Sequence, residues 1–327
     1  MNTLEKRELI KGSGIFVSPL CLGCAPLGNL PNDFGHEVSR TDALLILNKV
    51  FSNRETGINF LDTSRNYGES EERIGQALKE FGSNPPNLII ATKADRDPDT
   101  NLFEPAQIRK SVEESRKALG LTILPLVYLH DPERHPDYLI DNQIFFDTIM
   151  NGAVKELETM QSEGIIGHIG ISGGPIDMLM KFVRTKKFNV VITHNRYNLL
   201  YRNAKPLIEL ANKENVTVIN AGVFASGILV DIPNKNVTLS YQKPSDENLK
   251  RVASMRALCK KYEVPLESAA LQFSLKSSVT STAVGISSVE ELEHLYSLLA
   301  YTVPENLLEE LHSLCITDED PEEYRIR

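Results

Sequence analysis

Short apolar runs alternate along the chain with longer segments in which apolar residues recur at helical spacing. In the first such segment, Ala43, Ile46, Leu47 and Val50 follow the i, i+3, i+4, i+7 rule of an amphipathic helix. Eight apolar runs have the length of buried strands: Pro19–Gly23, Ile58–Leu61, Leu88–Lys93, Leu126–His130, Ile166–Ser172, Val190–Thr193, Val216–Asn220 and Thr280–Val284. Eight strand and helix units predict a closed parallel barrel rather than an open doubly wound sheet.

Further segments extend this pattern at both ends. Arg7–Ile10 and Ile15–Val17 flank the turn KGSG, which predicts a β-hairpin ahead of the first barrel strand. A late helix is predicted around Leu307, Leu308 and Leu311, and the acidic tail TDEDPEEYRIR lies outside the repeat. The expected fold class is α/β, a (β/α)8 TIM barrel with an N-terminal β-hairpin and extra C-terminal helices.

Local signals predict where individual helices begin and end. Ser39 and Ser70 each precede apolar residues at helical spacing and are predicted N-caps. A helix is also predicted over Asn151–Glu163, ended by Gly164.

Composition limits the domain count and the kinds of partner. The chain has 327 residues, 41% of them apolar, so we expect one domain over residues 1–327. A net charge of -9 argues against nucleic acid as a partner. No apolar run is long enough to span a bilayer, and the start MNTLEKREL lacks a signal-peptide core. We therefore expect a cytoplasmic protein without a membrane partner.

Cysteines and histidines do not form a recognisable metal pattern. Cys21 and Cys24 have CxxC spacing, but there is no second pair, and ordinary buried thiols are favoured over a redox or zinc site. His130 and His135 lack a third ligand at a sensible spacing. No metal site is expected.

Polar residues follow the early strands at the edge where a barrel carries its active groups. Asp62 ends the second apolar run, and a buried carboxylate there needs a cation nearby. Tyr67 follows in the turn, Lys93 ends the third run and His130 ends the fourth. Because the carboxyl ends of barrel strands share one rim, these four side chains are a candidate catalytic group.

The same region resembles a known family. The signature of the aldo-keto reductases is similar to a pattern of nine residues here: Asp62, Thr63, Tyr67, Gly68, Ser70, Glu71, Gly75, Ala77 and Leu78. The resemblance continues through GHIGISG, HNRYNLLYRN and VGISSVEELEH, and so covers nearly the whole chain. It implies hydride transfer between nicotinamide and a carbonyl or alcohol. No GxGxxG motif follows any of the predicted strands, so a Rossmann domain is not expected.

The resemblance assigns each of the four residues a role. Tyr67 would be the general acid/base, and a buried ammonium at Lys93 would favour its phenolate. Asp62 would hold Lys93 charged and oriented. Neutral His130 would donate to the substrate oxygen or relay its proton.

The resemblance also implies a cofactor site along the later strands. Ser172 and Asn195 would bind the nicotinamide carboxamide, Gly222, Val223 and Phe224 would approach the pyrophosphate, and Gly285, Ile286 and Ser287 would pass along the adenosine ribose. Two departures stand out. Many members have asparagine at Gly173 and a nicotinamide-stacking aromatic ring at Ala221, a ring that Phe224 could replace.

Cofactor preference rests on the loop after the last strand. Gly285–Leu295 contains no Lys or Arg to pair with the 2′-phosphate of NADP, and Glu291 stands near a position where NADP-preferring members carry arginine. NAD is therefore the expected cofactor, with NADP the alternative. The alternative interpretation is that Glu290, Glu291 and Glu293 form a solvated helix face.

The branch of the family is indicated by GISG, followed by Pro175, together with VGISSVEEL. This pairing is most similar to the L-fucose, L-galactose and D-arabinose 1-dehydrogenases, which oxidise an aldose at C1 to the lactone. The partner would then be a small sugar or carbonyl compound, and the protein a monomer or small homo-oligomer. The alternatives are a general NADPH aldehyde reductase and a binding protein similar to the β subunits of potassium channels.

Overall fold

The fold is described from a computed structural model, which covers residues 5–34, 36–52, 57–82, 85, 87–231, 238–240 and 242–325. The strands in chain order are β1 (Arg7–Glu8), β2 (Phe16–Val17), β3 (Leu20–Gly23), β4 (Phe60–Asp62), β5 (Ile89–Ala94), β6 (Leu124–His130), β7 (Ile166–Gly173), β8 (Val190–His194), β9 (Thr217–Ala221) and β10 (Ser281–Gly285). Within the described residues, β3 to β10 form a closed barrel of eight parallel strands. Strand β10 closes the barrel against β3, where Ala283 lies opposite Cys21. The predicted (β/α)8 barrel is confirmed.

Helices surround this barrel. In chain order they are α1 (Pro31–Phe34), α2 (Arg40–Ser52), α3 (Ser70–Phe81), α4 (Pro105–Leu119), α5 (Asn142–Ile149), α6 (Lys155–Ser162), α7 (Ile176–Val183), α8 (Lys205–Lys213), α9 (Asp246–Lys261), α10 (Leu266–Lys276), α11 (Val289–Ser297) and α12 (Glu305–His312). Their buried faces and the outward side chains of the strands form the larger core. The extra C-terminal helix is confirmed as α12.

The barrel interior is filled by its own side chains. Inward residues from successive strands pack together, among them Cys21, Phe60, Leu126, Tyr128 and Ile219. The predicted hairpin is confirmed as the antiparallel pair β1 and β2, and its neighbours Leu9 and Val17 pack into the same cluster. Because this interior is packed, a ligand has access only to the barrel ends.

Two predictions of helix ends were wrong. The segment predicted as Asn151–Glu163 begins earlier, as α5, and passes through a π-helical turn over Met150–Val154 into α6. Asp141 caps this start, since its side chain accepts from the backbone N–H of Gln143 and Ile144. Ser70 is the first residue of α3 rather than its cap, and its hydroxyl donates to Cys24 O at 2.9 Å.

Two other local expectations, the Ser39 cap and the buried cysteines, agree with the structure. Ser39 Oγ accepts from the backbone N–H of Asp42 at 3.1 Å, as expected of an N-cap. Cys21 and Cys24 are buried free thiols, and burial raises the pKa of both. Among the described residues, no helix is long and apolar enough to cross a membrane, and no group of three metal-ligating side chains converges. Residues 326 and 327 of the predicted tail lie outside the described residues.

Candidate active site

The predicted site residues lie on one rim of the barrel, in two adjoining sectors. Asp62, Lys93 and His130 stand at the carboxyl ends of β4, β5 and β6. The predicted cofactor residues follow the ends of β7 to β10. The closed strand order therefore places a candidate proton-transfer sector directly beside a candidate cofactor sector.

Asp62 and Lys93 form a buried ion pair. Lys93 Nζ lies 2.6 Å from Asp62 Oδ1 and donates to Thr63 O at 2.7 Å. Burial alone would lower the pKa of Lys93, but Asp62 and Tyr67 outweigh it and raise that pKa above its usual value. Lys93 is therefore an ammonium at every physiological pH, and the predicted pairing is confirmed.

Tyr67 is held beside this ammonium by a close backbone contact. Lys93 Nζ lies 4.6 Å from the centroid of the Tyr67 ring. On the other side, a Cβ atom at Gly28 would come within 1.8 Å of Tyr67 O, so only glycine fits there. The backbone N–H of Glu69 also donates to Gly28 O at 3.0 Å, which fixes the turn that carries the tyrosine.

The net effect of this environment on the pKa of Tyr67 is opposite to the expected one. Burial raises the pKa of Tyr67 well above its usual value, and the opposing effect of Lys93 offsets only part of this rise. Burial thus favours the phenol form of this side chain over the phenolate. A phenol is the form that donates a proton in carbonyl reduction.

His130 completes the sector. Its ring lies edge-to-face on the Tyr67 ring, with the centroids 5.9 Å apart. Its Nδ1 atom is hydrogen-bonded to Asp95 and lies 3.3 Å from Ser64 Oγ. Its Nε2 atom lies 3.9 Å from Asp131 Oδ1. The four predicted side chains are therefore brought together at one place.

The second sector fits a carboxamide group. Ser172 and Asn195 are 5% and 3% exposed, and they lie at the ends of β7 and β8. Asn195 Nδ2 donates to Glu322, whereas Asn195 Oδ1 is buried, has no partner among the described residues and can accept one more hydrogen bond. A Cβ at Gly222 would lie 2.2 Å from Asn195 Oδ1, so residue 222 has no room for a side chain.

Gly173, where many family members have asparagine, lies against two side chains. A Cβ at this residue would lie 3.0 Å from Glu133 Oε2 and 2.9 Å from Met178 Cε. Glu133 Oε1 accepts from the backbone N–H of Gly174 at 2.7 Å, and burial raises the pKa of Glu133 to about 7. A side chain at residue 173 would therefore require the ends of the Glu133 and Met178 side chains to shift.

The loop after β10 is ordered by Glu291. Its carboxylate accepts from the backbone N–H of Ser287 at 2.8 Å and from Ser287 Oγ at 2.6 Å. Ser288 caps α11 by accepting from the backbone N–H of Glu291. Glu291 is therefore not merely solvated, because its carboxylate binds Ser287 of the predicted cofactor loop. Glu290 and Glu293 are exposed, as the alternative of a solvated helix face predicts. Ile286 in the same loop is buried.

Sequence reasoning missed two acidic residues that contact the site. Asp95 stands two positions after Lys93, so strand alternation could have placed it on the same face. Glu322 belongs to the C-terminal tail, and its contact with Asn195 carries no signal in the sequence.

Comparisons with known proteins identify relatives of this chain. The profile of the aldo/keto reductase family matches residues 19–315. The chain is 30% identical over 328 residues to a D-threo-aldose 1-dehydrogenase from Pseudomonas sp., covering 91% of this chain and 94% of that protein. It is 29% identical over 300 residues to L-galactose dehydrogenase from Arabidopsis thaliana, covering 90% of this chain and 87% of the other.

A solved structure has the same fold. An aldo-keto reductase from Bacillus halodurans in its holo form superposes with a TM-score of 0.75 at 23% identity, covering 98% of this chain and 100% of the other. The chain belongs to the aldo/keto reductase family and is an oxidoreductase of a kind that uses a nicotinamide cofactor. Within the family it is similar to these two sugar dehydrogenases.

Proposed function

We propose that this protein oxidises an aldose at C1 to the lactone, with NAD as the cofactor and Tyr67 as the general acid/base. The observation that supports this most directly is the Lys93 ammonium, 2.6 Å from Asp62 Oδ1 and 4.6 Å from the Tyr67 ring centroid. The relatives named D-threo-aldose 1-dehydrogenase and L-galactose dehydrogenase suggest the substrate class.

The residues of the chain handle the proton of this reaction. As the C1 hydroxyl becomes a carbonyl, its proton passes to the Tyr67 phenolate oxygen. Lys93 stabilises the phenolate, and Asp62 keeps Lys93 charged in its buried position. Bound NAD would supply the acceptor for the hydride that leaves C1.

The cofactor sector would hold the nucleotide at three places. Ser172 and Asn195 would bind the nicotinamide carboxamide, with Asn195 Oδ1 as the free acceptor. The backbone of Gly222, Val223 and Phe224 would lie along the pyrophosphate. The loop of Gly285, Ile286 and Ser287 would contact the adenosine ribose, where Glu291 would repel a 2′-phosphate.

One observation favours a second candidate, an NADPH-dependent aldehyde reductase. Burial keeps the pKa of Tyr67 above its usual value, and a protonated tyrosine is the form that reduction requires. The same residues would then act in the reverse direction, with Tyr67 donating to the carbonyl oxygen.

The test is a substrate panel with purified protein, NAD or NADP, and a set of aldoses and simple aldehydes. We expect reduced nucleotide to form with NAD and at least one aldose, and the matching lactone to be identified by mass spectrometry. The 1-O-methyl glycoside of that sugar is the matched control, because its C1 hydroxyl is blocked. Reduction of aldehydes by NADPH without any aldose oxidation would establish the second candidate instead.

A further inference from the structure

A second buried carboxylate, Asp95, links His130 to the turn that leads into Tyr67. Asp95 is 3% exposed and follows β5 directly. Its Oδ1 atom accepts a hydrogen bond from Asn66 Nδ2 at 2.7 Å and is also hydrogen-bonded to His130 Nδ1. Its Oδ2 atom accepts from Ser64 Oγ at 2.8 Å and from the backbone N–H of Asn66 at 3.2 Å.

His130 is the basic side chain that contacts this carboxylate. The described residues place His130, but no lysine or arginine, within ion-pair distance of Asp95. A carboxylate buried to this degree requires hydrogen-bond donors at its oxygens. In their observed orientation, the backbone N–H and the side-chain amide nitrogen of Asn66 both donate to it. The hydrogen bond between His130 and Asp95 therefore forms when His130 Nδ1 carries the proton and donates it to the carboxylate.

We infer that Asp95 is a positioning residue for the reaction proposed above, acting on both His130 and Tyr67. It holds the proton of His130 on Nδ1, and it fixes the Ser64–Asn66 turn that leads into Tyr67. A neutral His130 then presents a bare Nε2 atom, which accepts a hydrogen bond from a substrate hydroxyl. It donates from Nε2 only as an imidazolium, which revises the expectation that the neutral ring is the donor.

The substitution Asp95→Asn makes a specific prediction about this ring. The side-chain amide of Asn66, which donates to Asp95 Oδ1, can rotate to present its oxygen, but the backbone N–H of Asn66 cannot reverse its polarity. The oxygen of the new amide must therefore take the place of Asp95 Oδ2. Its amino group then takes the place of Oδ1 and faces His130 Nδ1. To accept from that amino group, His130 must move its own proton to Nε2.

The tautomer can be measured without any assay of turnover. Histidine labelled with nitrogen-15 is observed by long-range proton–nitrogen correlation, and His130→Asn identifies the ring. We expect the neutral ring of the unmodified protein to carry its proton on Nδ1, and that of Asp95→Asn on Nε2. A wild-type ring protonated on Nε2 would overturn the inference, even if the variant did not fold.

Kinetics then test the positioning role. In Asp95→Asn, kcat should fall by about a hundredfold or more, while KM for the nucleotide changes by less than about twofold, since the cofactor sector is untouched. Asp99→Asn, an exposed acid of the same loop, is the matched control and should keep full activity. An Asp95→Asn enzyme that retains its kcat would overturn the inference while leaving the proposed function standing. Absence of aldose oxidation in the unmodified protein would overturn only the proposed function, because the tautomer would still report on Asp95.

Discussion

The side-chain amide of Asn195 donates to the carboxylate of Glu322 at 2.7 Å, although the two residues are 127 positions apart. His194 Nε2 lies 2.7 Å from the same carboxylate, and Arg196 Nη1 lies 3.0 Å from it. Glu322 is 2% exposed, and breaking a buried pair of this kind costs roughly 3–5 kcal/mol. The C-terminal tail is therefore bound firmly to the rim of the barrel beside Asn195.

This contact predicts a pH window of stability. His194 and Arg196 overcome the effect of burial and hold the pKa of Glu322 well below its usual range, and Glu322 raises the pKa of His194. The Glu322 carboxylate stabilises the folded state above its ordinary pKa of about 4.3, and this stabilisation is lost as the pH falls. Protonated His194 stabilises the folded state below its ordinary pKa of about 6.5, and this stabilisation is lost as the pH rises. The difference in Tm between wild type and Glu322→Gln should thus be largest between about pH 4.3 and 6.5.

Thermal unfolding followed by circular dichroism would measure this difference. Asp318→Asn removes an exposed acid of the same tail and should change Tm little at any pH. A Tm difference for Glu322→Gln that did not vary with pH would contradict the assignment of the ion pair.

The role of Tyr67 is tested by removing only its hydroxyl group. Tyr67→Phe should lower turnover by roughly two to four decades and leave nucleotide binding intact, because the ring still packs against His130. Tyr301→Phe alters an exposed tyrosine and serves as the control. Near-normal turnover of Tyr67→Phe at every pH would exclude Tyr67 as the acid/base.

Lys93 should set the pH at which oxidation becomes fast. The turnover should rise with pH as Tyr67 ionises, because the phenolate is the base. Lys93 lowers the pKa of Tyr67 against the raising effect of burial, so Lys93→Met should move this rise to higher pH. Lys110→Met, on the exposed face of α4, is the matched control. Identical pH profiles for Lys93→Met and wild type would remove Lys93 from the mechanism.

Cofactor preference should depend on Glu291. Its charge and the absence of a basic partner in the loop predict that NAD is preferred over NADP by about ten- to a hundredfold. Glu291→Gln keeps an acceptor for Ser287 without the charge, so it should narrow the preference, and Glu291→Arg should narrow it further or reverse it. The change should appear mainly in KM for NADP. Tighter binding of NADPH than NADH by the unmodified protein at low salt would refute this idea.

Gly28 should be required for activity through its contact with the Tyr67 turn. In Gly28→Ala the new Cβ would lie within 1.8 Å of Tyr67 O, so the turn must move. A displacement of about 1 Å at a reacting group costs on the order of a hundredfold in rate. Gly152→Ala is the control, since its nearest neighbours are 3.9 Å away. Equal activity of the two variants would show that the Tyr67 turn tolerates this shift.

The sequence by itself determined the barrel and the rim that carries the candidate catalytic residues. Short apolar runs such as Ile166–Ser172 alternate with amphipathic segments, and that periodicity is a local property which a linear pattern records. The pairing of Asp62 with Lys93 was equally predictable, because a buried carboxylate needs a cation and both residues end neighbouring strands.

Only the tertiary structure decided which polar groups meet between the strand ends. Asp95 reaches His130 across 35 positions, and Glu322 reaches Asn195 across 127. These residues lie in loops and in the tail, where no hydrophobic period constrains the chain, and their partners are set by barrel closure and by the need to satisfy buried polar atoms. The direction of the shift in the pKa of Tyr67 likewise depended on burial, which a sequence pattern does not contain.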